Sequence, residues 1–172
     1  MALPRVDPTA KPSALKRALL AFSMTDAGTW YVRNISPRVD PTLHRVTGGR
    51  LSSVMATPVV MLTTKGARSG RERTTPLIYF SEGDDVILIA SNYGKTRHPA
   101  WYHNLKANPD ATLAARGRVG RYRASEATGA EREHLWTLTE RFARTYGRYK
   151  MTAGSRQIPV MVLSPLAESD ES

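Results

Sequence analysis

The sequence predicts an α+β fold built around a β-barrel, and three observations support this prediction. Short β-rich runs separated by turns that contain Gly dominate residues 59–127. One long helical segment follows these runs, and shorter helical segments precede them. Short strands followed by one late helix, with further helical segments that can cover the sheet, are typical of an α+β barrel.

Composition indicates a globular protein of one domain. The chain has 172 residues, of which 41% are hydrophobic and 23% are charged, so it can bury a core of ordinary size. Its 25 Lys and Arg residues exceed its 15 Asp and Glu residues, which gives a formal net charge of +10. Such a charge attracts nucleic acid, anionic lipid or a polyanionic small molecule, and it does not choose among them.

Several classes of protein are disfavoured by what the sequence lacks. It has no cysteine, so disulfides and thiolate metal sites are excluded. The four histidines do not have zinc-type spacing, and we expect no metal site. No apolar run approaches the roughly 18 residues that a membrane span needs, so we expect a cytoplasmic protein.

Residues 1–53 are expected to form an N-terminal arm with two helical segments. The Pro-rich residues 1–11 predict a loose arm. Ser13 can cap a helix with an apolar face, and a second helix is predicted over residues 29–34. The apolar face holds Leu15, Ala18, Leu19 and Phe22. Because Lys16 and Arg17 lie beside this face, both a helix packed on the barrel and a helix weakly bound to an anionic membrane surface fit the pattern.

The barrel domain is predicted over residues 54–166, and an acidic tail over 167–172. Its predicted strands are residues 59–64, 74–80, 86–90, 111–115, 121–127 and 158–163. A short helix over 100–107 follows Pro99 and ends before Asn108-Pro109, which are start and stop signals. Thr128 and Glu131 form a capping-box pattern for the late helix, which we expect to reach about residue 146.

The turn between the first two strands concentrates positive charge. Its cations are Lys65, Arg68, Arg71 and Arg73. The turn also holds Gly66, Ser69 and Gly70, and backbone N–H groups together with guanidinium groups suit phosphate or carboxylate oxygens. An ordinary solvated surface fits the same pattern.

Three segments of the sequence resemble the deazaflavin-dependent nitroreductase family. They are TTKGARSGRERTTPL, ASNYGKTRHPAWYHNLKANP and YGRYKMTAGSRQIPVMVL, and they follow the family's order over most of residues 59–163. The resemblance implies a split β-barrel that binds the deazaflavin coenzyme F-420. It also implies a reductase that transfers hydride from the reduced coenzyme to a small acceptor such as a quinone, an enone or a nitroaromatic.

The same resemblance implies which residues bind the coenzyme. The turn residues would bind the phosphate and γ-glutamyl tail, the second strand would lie beside the ring, and the third strand and short helix would complete the site. The implied residues are Ala67, Arg68, Ser69, Arg73, Thr74, Thr75, Pro76, Leu77, Ile78, Ile89, Ala90, Ser91, Asn92, Ala100, Trp101, Tyr102, His103, Asn104 and Tyr149. These assignments require the basic turn and the short helix to lie side by side.

The chain departs from the family pattern at two of these positions and at one neighbouring position. Asn92 and Tyr93 replace a commoner Lys-Gly pair, and Ile78 replaces an aromatic residue. For Trp101 and Tyr102, packing in the core is an alternative to contact with the coenzyme.

The candidate catalytic residues are Ser91, Tyr146 and Tyr149. The two tyrosines lie three residues apart on one helix face, and the resemblance implies that they line the acceptor site. Thr152 stands where another phenol is often found. Ser91, Tyr149 and water are the candidates for proton delivery, and a solvent-facing position is the alternative for both tyrosines.

Two other functions stay open at this stage. A split barrel could bind flavin mononucleotide instead, or could carry a ligand without turnover. A basic nucleic-acid-binding barrel would use the positive surface and stack bases on Trp101, Tyr102 and Tyr122.

Overall fold

The computed structural model describes residues 3–10, 30, 35, 58–143 and 145–167. A seven-stranded antiparallel sheet forms the centre of this part of the chain. Its strands are β1 (Val59–Lys65), β2 (Glu72–Ile78), β3 (Phe80–Glu82), β4 (Asp85–Ile89), β5 (Asp110–Ala115), β6 (Arg118–Glu126) and β7 (Val160–Pro165). The helices in residues 58–143 and 145–167 are α1 (Ala100–Ala107), α2 (Gly129–Phe142) and α3 (Thr145–Thr152), with a 3₁₀ turn at Asn92–Gly94.

The sheet is curled, which follows from its strand order. The order is β2-β1-β5-β6-β7-β4-β3, so β2 and β3 lie at opposite edges. Only Tyr79 separates these two strands in the chain. One residue can span the gap only if the sheet curls until its two edges approach each other. A curled antiparallel sheet with helices packed against it confirms the predicted α+β split barrel.

Alternating side chains of β4 and β7 pack in two separate cores. Val86 and Leu88 belong to the larger cluster inside the curl, whereas Ile87 and Ile89 belong to a second cluster with residues of α2. Residues of β7 divide between the two clusters in the same way. Successive side chains of a strand point to opposite faces, so both strands are covered on both sides.

The register places the three longest connecting segments, β1–β2, β4–β5 and β6–β7, at one end of the barrel. Lys65 pairs with Glu72, and its neighbour Thr64 pairs with Ala111, so the β1–β2 turn lies beside the start of β5. The ends of β6 and β4 and the start of β7 meet at the same level, through the pairs Glu126 with Met161 and Ile89 with Val160. We call this the α1 end. The β5–β6 turn at Arg116 and Gly117 lies at the opposite end.

The N-terminal arm is docked on the barrel over residues 3–6, so the prediction of a loose arm is wrong there. Leu3 is buried in the larger core, and its N–H donates to the Tyr122 hydroxyl at 3.1 Å. The Tyr79 hydroxyl donates to the Pro4 carbonyl at 3.1 Å. The Ser81 N–H on the edge strand β3 donates to the Val6 carbonyl at 2.8 Å, and the Val6 N–H donates to the Ser81 hydroxyl at 3.1 Å. Two buried phenols therefore satisfy backbone groups that a free arm would expose to water.

Two predicted elements are each divided in the structure, and two predicted strands are displaced: 121–127 is observed as Arg118–Glu126, and 158–163 as Val160–Pro165. The predicted strand 74–80 is divided into β2 and β3, because the chain passes from one sheet edge to the other at Tyr79. The late helix is two helices, with Ala143 in an extended conformation between them. No Gly or Pro marks this break in the sequence, so the pattern could not indicate it.

Other predictions fall on parts of the chain that lie outside the described residues. These are the two N-terminal helical segments, the boundary at residue 53 and the acidic tail beyond Ala167. Among the residues that the structure does describe, none belongs to a helix long and apolar enough to span a membrane.

Candidate functional site

The Asn104 side chain joins the β1–β2 turn to α1. Its Oδ1 accepts the Ala67 N–H at 3.0 Å, and its Nδ2 donates to the Thr64 hydroxyl at 3.1 Å. Asn104 is buried away from water, so these two hydrogen bonds supply the partners that its side-chain amide needs. The basic turn and the short helix therefore lie side by side, as the sequence-based assignment requires.

The β1–β2 turn is compact and directs its cations outward. The Gly66 N–H donates to the Arg71 carbonyl at 2.8 Å, and the Gly70 N–H donates to the Gly66 carbonyl at 2.8 Å. A Cβ at Gly66 would lie 2.7 Å from the Ser69 hydroxyl and 3.1 Å from the Arg71 carbonyl oxygen, so a side chain there would force these neighbours to shift. The exposed cations are Lys65, Arg68, Arg71 and Arg73. No carboxylate in the described part of the chain forms an ion pair with them, so they are available to an anion.

Strand β2 offers an open edge next to this turn. It pairs with β1 on one side, and no described strand pairs with its other side. Thr75, Pro76, Leu77 and Ile78 are half-buried along it. An edge strand presents unpaired backbone N–H and C=O groups, which suit the polar rim of a flat ring.

The segment after β4 makes a strained turn toward α3. Ile89, Ala90 and Ser91 are buried, and the three residues that follow have left-handed backbone angles. Their φ values are 49° for Asn92, 55° for Tyr93 and 73° for Gly94. The Asn92 Nδ2 donates to the Arg97 carbonyl at 2.8 Å, which stabilises the turn. A Cβ at Gly94 would collide with the Thr152 hydroxyl, so α3 packs directly against this turn.

Arg156 binds the whole segment from residue 90 to residue 98, and sequence reasoning missed it. Its Nη2 donates to the Ser91 carbonyl at 2.7 Å, and its Nη1 lies 3.2 Å from the Ala90 carbonyl and 3.0 Å from His98 Nδ1. Its Nε donates to the Lys95 carbonyl at 3.0 Å. The planar fork of a guanidinium group can serve several acceptors at once. No local pattern links residues about sixty positions apart, so only the fold shows this contact.

Three tyrosines form a row from solvent to core beside the turn. The Tyr93 and Tyr149 ring centroids are 6.5 Å apart, and those of Tyr149 and Tyr146 are 5.8 Å apart, both edge to face. Burial raises the pKa of Tyr146 and that of Tyr149, so both phenols are neutral at physiological pH. A neutral phenol can donate a hydrogen bond to an oxygen that gains charge.

A second polar group lies on the outer side of α1. The Tyr102 hydroxyl and the Lys106 ammonium both donate to Glu126 Oε2 at 3.0 Å. The Tyr102 ring centroid lies 4.7 Å from that of His98, with the rings tilted by 39°, and 5.4 Å from that of His103, edge to face. Burial is the main cause that raises the pKa of Tyr102, and Glu126 adds to it.

Two aromatic residues singled out from the sequence are core residues. Trp101 is 5% exposed and Tyr122 is 1% exposed. Neither ring can stack on a base, so the nucleic-acid alternative loses two of its three proposed stacking residues. For Trp101 the structure supports core packing. Tyr146 is buried in the second core, whereas Tyr149 is half-buried next to the turn.

The described residues fit an elongated ligand with an anionic end and a flat ring. The cations of the β1–β2 turn, the start of the open β2 edge, the turn at Ser91 and the ring of Tyr149 lie at the α1 end. An α+β split barrel with this arrangement defines the class of split-barrel reductases that use a flavin-like coenzyme.

The comparison with known families identifies the group within that class. The model of the F420H(2)-dependent quinone reductase family matches residues 36–165. The chain belongs to this family, whose members are oxidoreductases and whose coenzyme is F-420.

Individual relatives agree with this assignment. An F420H(2)-dependent quinone reductase of Mycobacterium tuberculosis is 35% identical over 151 residues, which cover 81% of this chain and 98% of the relative. A solved structure of an F-420-dependent reductase is 37% identical, with a TM-score of 0.58, and the match covers 62% of this chain and 94% of that one. Another solved structure, described as a domain-swapped dimer, is 34% identical with a TM-score of 0.60, over 79% of this chain and 98% of that one.

These comparisons confirm the predicted family, the fold, the enzyme class and the coenzyme. An acceptor of the quinone type agrees with the family as well. The roles of individual site residues stay predictions.

The contact between Arg156 and His98 predicts a pH dependence of stability. Burial, and then the Arg156 charge, lower the pKa of His98 below its usual value of 6.5. As pH falls below that value, unfolded His98 takes up a proton while folded His98 stays neutral, so the free energy of unfolding decreases. Above about pH 7.5 His98 is neutral in both states, so the free energy of unfolding no longer depends on pH through this residue. Thermal unfolding between pH 5 and pH 8 should show the decline.

The His98→Gln variant should have a shallower decline, because an amide oxygen can accept the same hydrogen bond and does not titrate. The matched control is His134→Gln, which alters an exposed histidine on α2 that pairs with Glu82 and does not contact Arg156. Identical pH profiles for wild type and His98→Gln would contradict the prediction.

Proposed function

We propose that this protein reduces small acceptors of the quinone type with hydride from reduced coenzyme F-420. The observation that carries the proposal is the contact between Asn104 and Ala67, which sets the basic turn beside α1. A ligand with an anionic tail and a flat ring needs both features on one side of the barrel. Membership of the F420H(2)-dependent quinone reductase family supports the same function.

The anionic part of the coenzyme would bind at the β1–β2 turn. Arg68, Ser69 and Arg73 are the proposed ligands of the phosphate and the γ-glutamyl tail, with Ala67 beside them. Both guanidinium groups are exposed, and no described carboxylate competes for them. Hydrogen bonds between guanidinium groups and phosphate or carboxylate oxygens are among the stronger ones in proteins.

The ring would lie between the open edge of β2 and the turn after β4. Residues 74–78 would line one side, with Pro76 and Leu77 in apolar contact. Residues 89–92 would line the ring edge, where Ser91 can hydrogen-bond. Ala100, Tyr102 and His103 of the first turn of α1 would complete the site, and a helix N-terminus adds partial positive charge. Trp101 and Asn104 would support this turn from the buried side.

When bound, the coenzyme supplies the hydride, because a deazaflavin favours two-electron transfer. The chain itself has to orient the acceptor and stabilise charge on its oxygen. The Tyr149 phenol is half-buried and neutral, so it can donate a hydrogen bond to that oxygen. Tyr146 supports the Tyr149 ring through their edge-to-face contact. Ser91 and water are the other candidates for proton delivery.

Acceptor reduction tests the proposal directly. The purified protein should oxidise reduced F-420 when menadione or a nitroaromatic is present, measured by the return of absorbance of the oxidised coenzyme. A parallel assay with reduced flavin mononucleotide should show no turnover. Activity with the flavin alone would favour the flavin-binding alternative, and indifference to both reductants would contradict an enzymatic role.

The tail site is tested by fluorescence titration with oxidised F-420. The double variant Arg68→Ala with Arg73→Ala should bind about 10- to 100-fold more weakly. This is less than the full value of two charge-assisted hydrogen bonds, because solvent and salt screen exposed guanidinium groups. The matched control is Arg118→Ala with Arg121→Ala, which removes the same charge from two exposed positions of β6. Equal affinities of the two double variants would refute the assignment.

We also propose a cytoplasmic location in which the segment around Lys16 and Arg17 binds weakly to the inner face of the membrane. The support is the sequence pattern of cations beside an apolar stripe. Sedimentation with anionic vesicles should recover more protein than sedimentation with neutral vesicles, and Lys16→Ala with Arg17→Ala should reduce the difference. Equal recovery from both vesicle types would count against it.

A further inference from the structure

Tyr93 combines three properties that ordinary surface residues do not share. It is a large aromatic residue that is 48% exposed. Its backbone lies in the left-handed region, with φ 55° and ψ 32°. Its ring stands edge to face on Tyr149, the residue proposed to contact the acceptor.

The backbone conformation at Tyr93 is costly for the residue that occupies it. Residues with a Cβ are disfavoured in the left-handed region, and bulky ones are seldom found there. Glycine would adopt the same angles without strain. Strained positions of this kind are often found at binding sites, where the surrounding structure keeps a side chain in place.

Neighbouring contacts fix the turn that carries Tyr93. On one side Asn92 donates to the Arg97 carbonyl, and on the other Gly94 lies against Thr152 of α3. Arg156 holds the Ser91 carbonyl two residues earlier. The Tyr93 ring is therefore attached to a braced turn at the solvent end of the row that continues through Tyr149 to Tyr146.

We propose that Tyr93 determines acceptor specificity by stacking on the outer ring of planar quinones with two fused rings. This inference rests on the proposed function. An acceptor whose first ring lies at Tyr149 extends outward along the row, and only a second fused ring reaches Tyr93. A quinone with a single ring makes no contact with Tyr93 and gains nothing from it.

Steady-state kinetics of Tyr93→Gly and Tyr93→Phe test the inference, with menadione as the two-ring quinone and 1,4-benzoquinone as the one-ring quinone. In Tyr93→Gly, the KM for menadione should rise about 2- to 10-fold, the range expected for loss of one aromatic contact. The KM for benzoquinone, the kcat values and the affinity for F-420 should stay within about twofold. Tyr93→Phe should behave as wild type, because the ring and not the hydroxyl carries the contact.

The matched control is Arg116→Gly. Arg116 also has a left-handed backbone, with φ 49°, but it lies in the β5–β6 turn at the opposite end of the barrel. This variant relieves the same kind of strain without touching the site, so both KM values should be unchanged. The thermal midpoint should not fall in either glycine variant, because glycine suits these angles.

Three results would overturn the inference: an unchanged ratio of the two KM values in Tyr93→Gly, an equal rise for both quinones, or a loss of selectivity in Tyr93→Phe. Failure of the proposed function has a different signature, because wild type would then reduce neither quinone. In that case equilibrium dialysis of both quinones against the F-420-loaded protein tests whether Tyr93 contributes to quinone binding. Tyr93→Gly must bind menadione more weakly than wild type does, and equal binding would reject the role of Tyr93.

Discussion

The arrangement of the site depends on the carboxamide of Asn104, because this one group holds two separate elements together. Its oxygen binds a backbone N–H of the β1–β2 turn, and its nitrogen binds a hydroxyl of β1, while its own backbone belongs to α1. The group is buried, so the alternative to these hydrogen bonds is an unsatisfied polar side chain, which costs about 1–3 kcal/mol. The position of the cations relative to the helix is therefore fixed before any ligand arrives. A site whose parts are already in place spends less binding free energy on ordering them.

Arg156 has the corresponding task on the other side of the site. Asn104 fixes a turn that carries charge, whereas Arg156 fixes a segment that carries buried carbonyls and a strained turn. Burial lowers the pKa of Arg156, yet a guanidinium group stays charged, so its hydrogen bonds to carbonyl oxygens persist. These interactions compensate for the left-handed angles at residues 92–94. The antiparallel register explains why such distant residues can meet, since it brings the ends of β1, β4 and β6 to the same end of the barrel.

The sequence predicted the elements whose signals are local and missed the contacts that only a folded chain creates. The helix over residues 100–107 was predicted with its correct bounds, because Pro99 and Asn108-Pro109 mark both ends. The family resemblance supplied the fold, the coenzyme and the enzyme class. The docked arm escaped prediction because its partners, Tyr79 and Tyr122, lie far along the chain. The alternation of apolar and polar residues around them indicates that they are buried, but it does not indicate what their hydroxyls bind. The role of Arg156 escaped for the same reason.

Net charge by itself has little predictive value here, and two turns of the barrel show why. The β1–β2 turn and the β5–β6 turn each carry exposed arginines near a glycine with a left-handed backbone. Composition cannot distinguish them, and both would attract anions at long range. The first is joined by Asn104 to α1 and lies at the end of the barrel that holds Tyr149, whereas the second lies at the opposite end. Binding of a molecule that is part anion and part ring requires this neighbourhood, and a basic surface alone does not provide it.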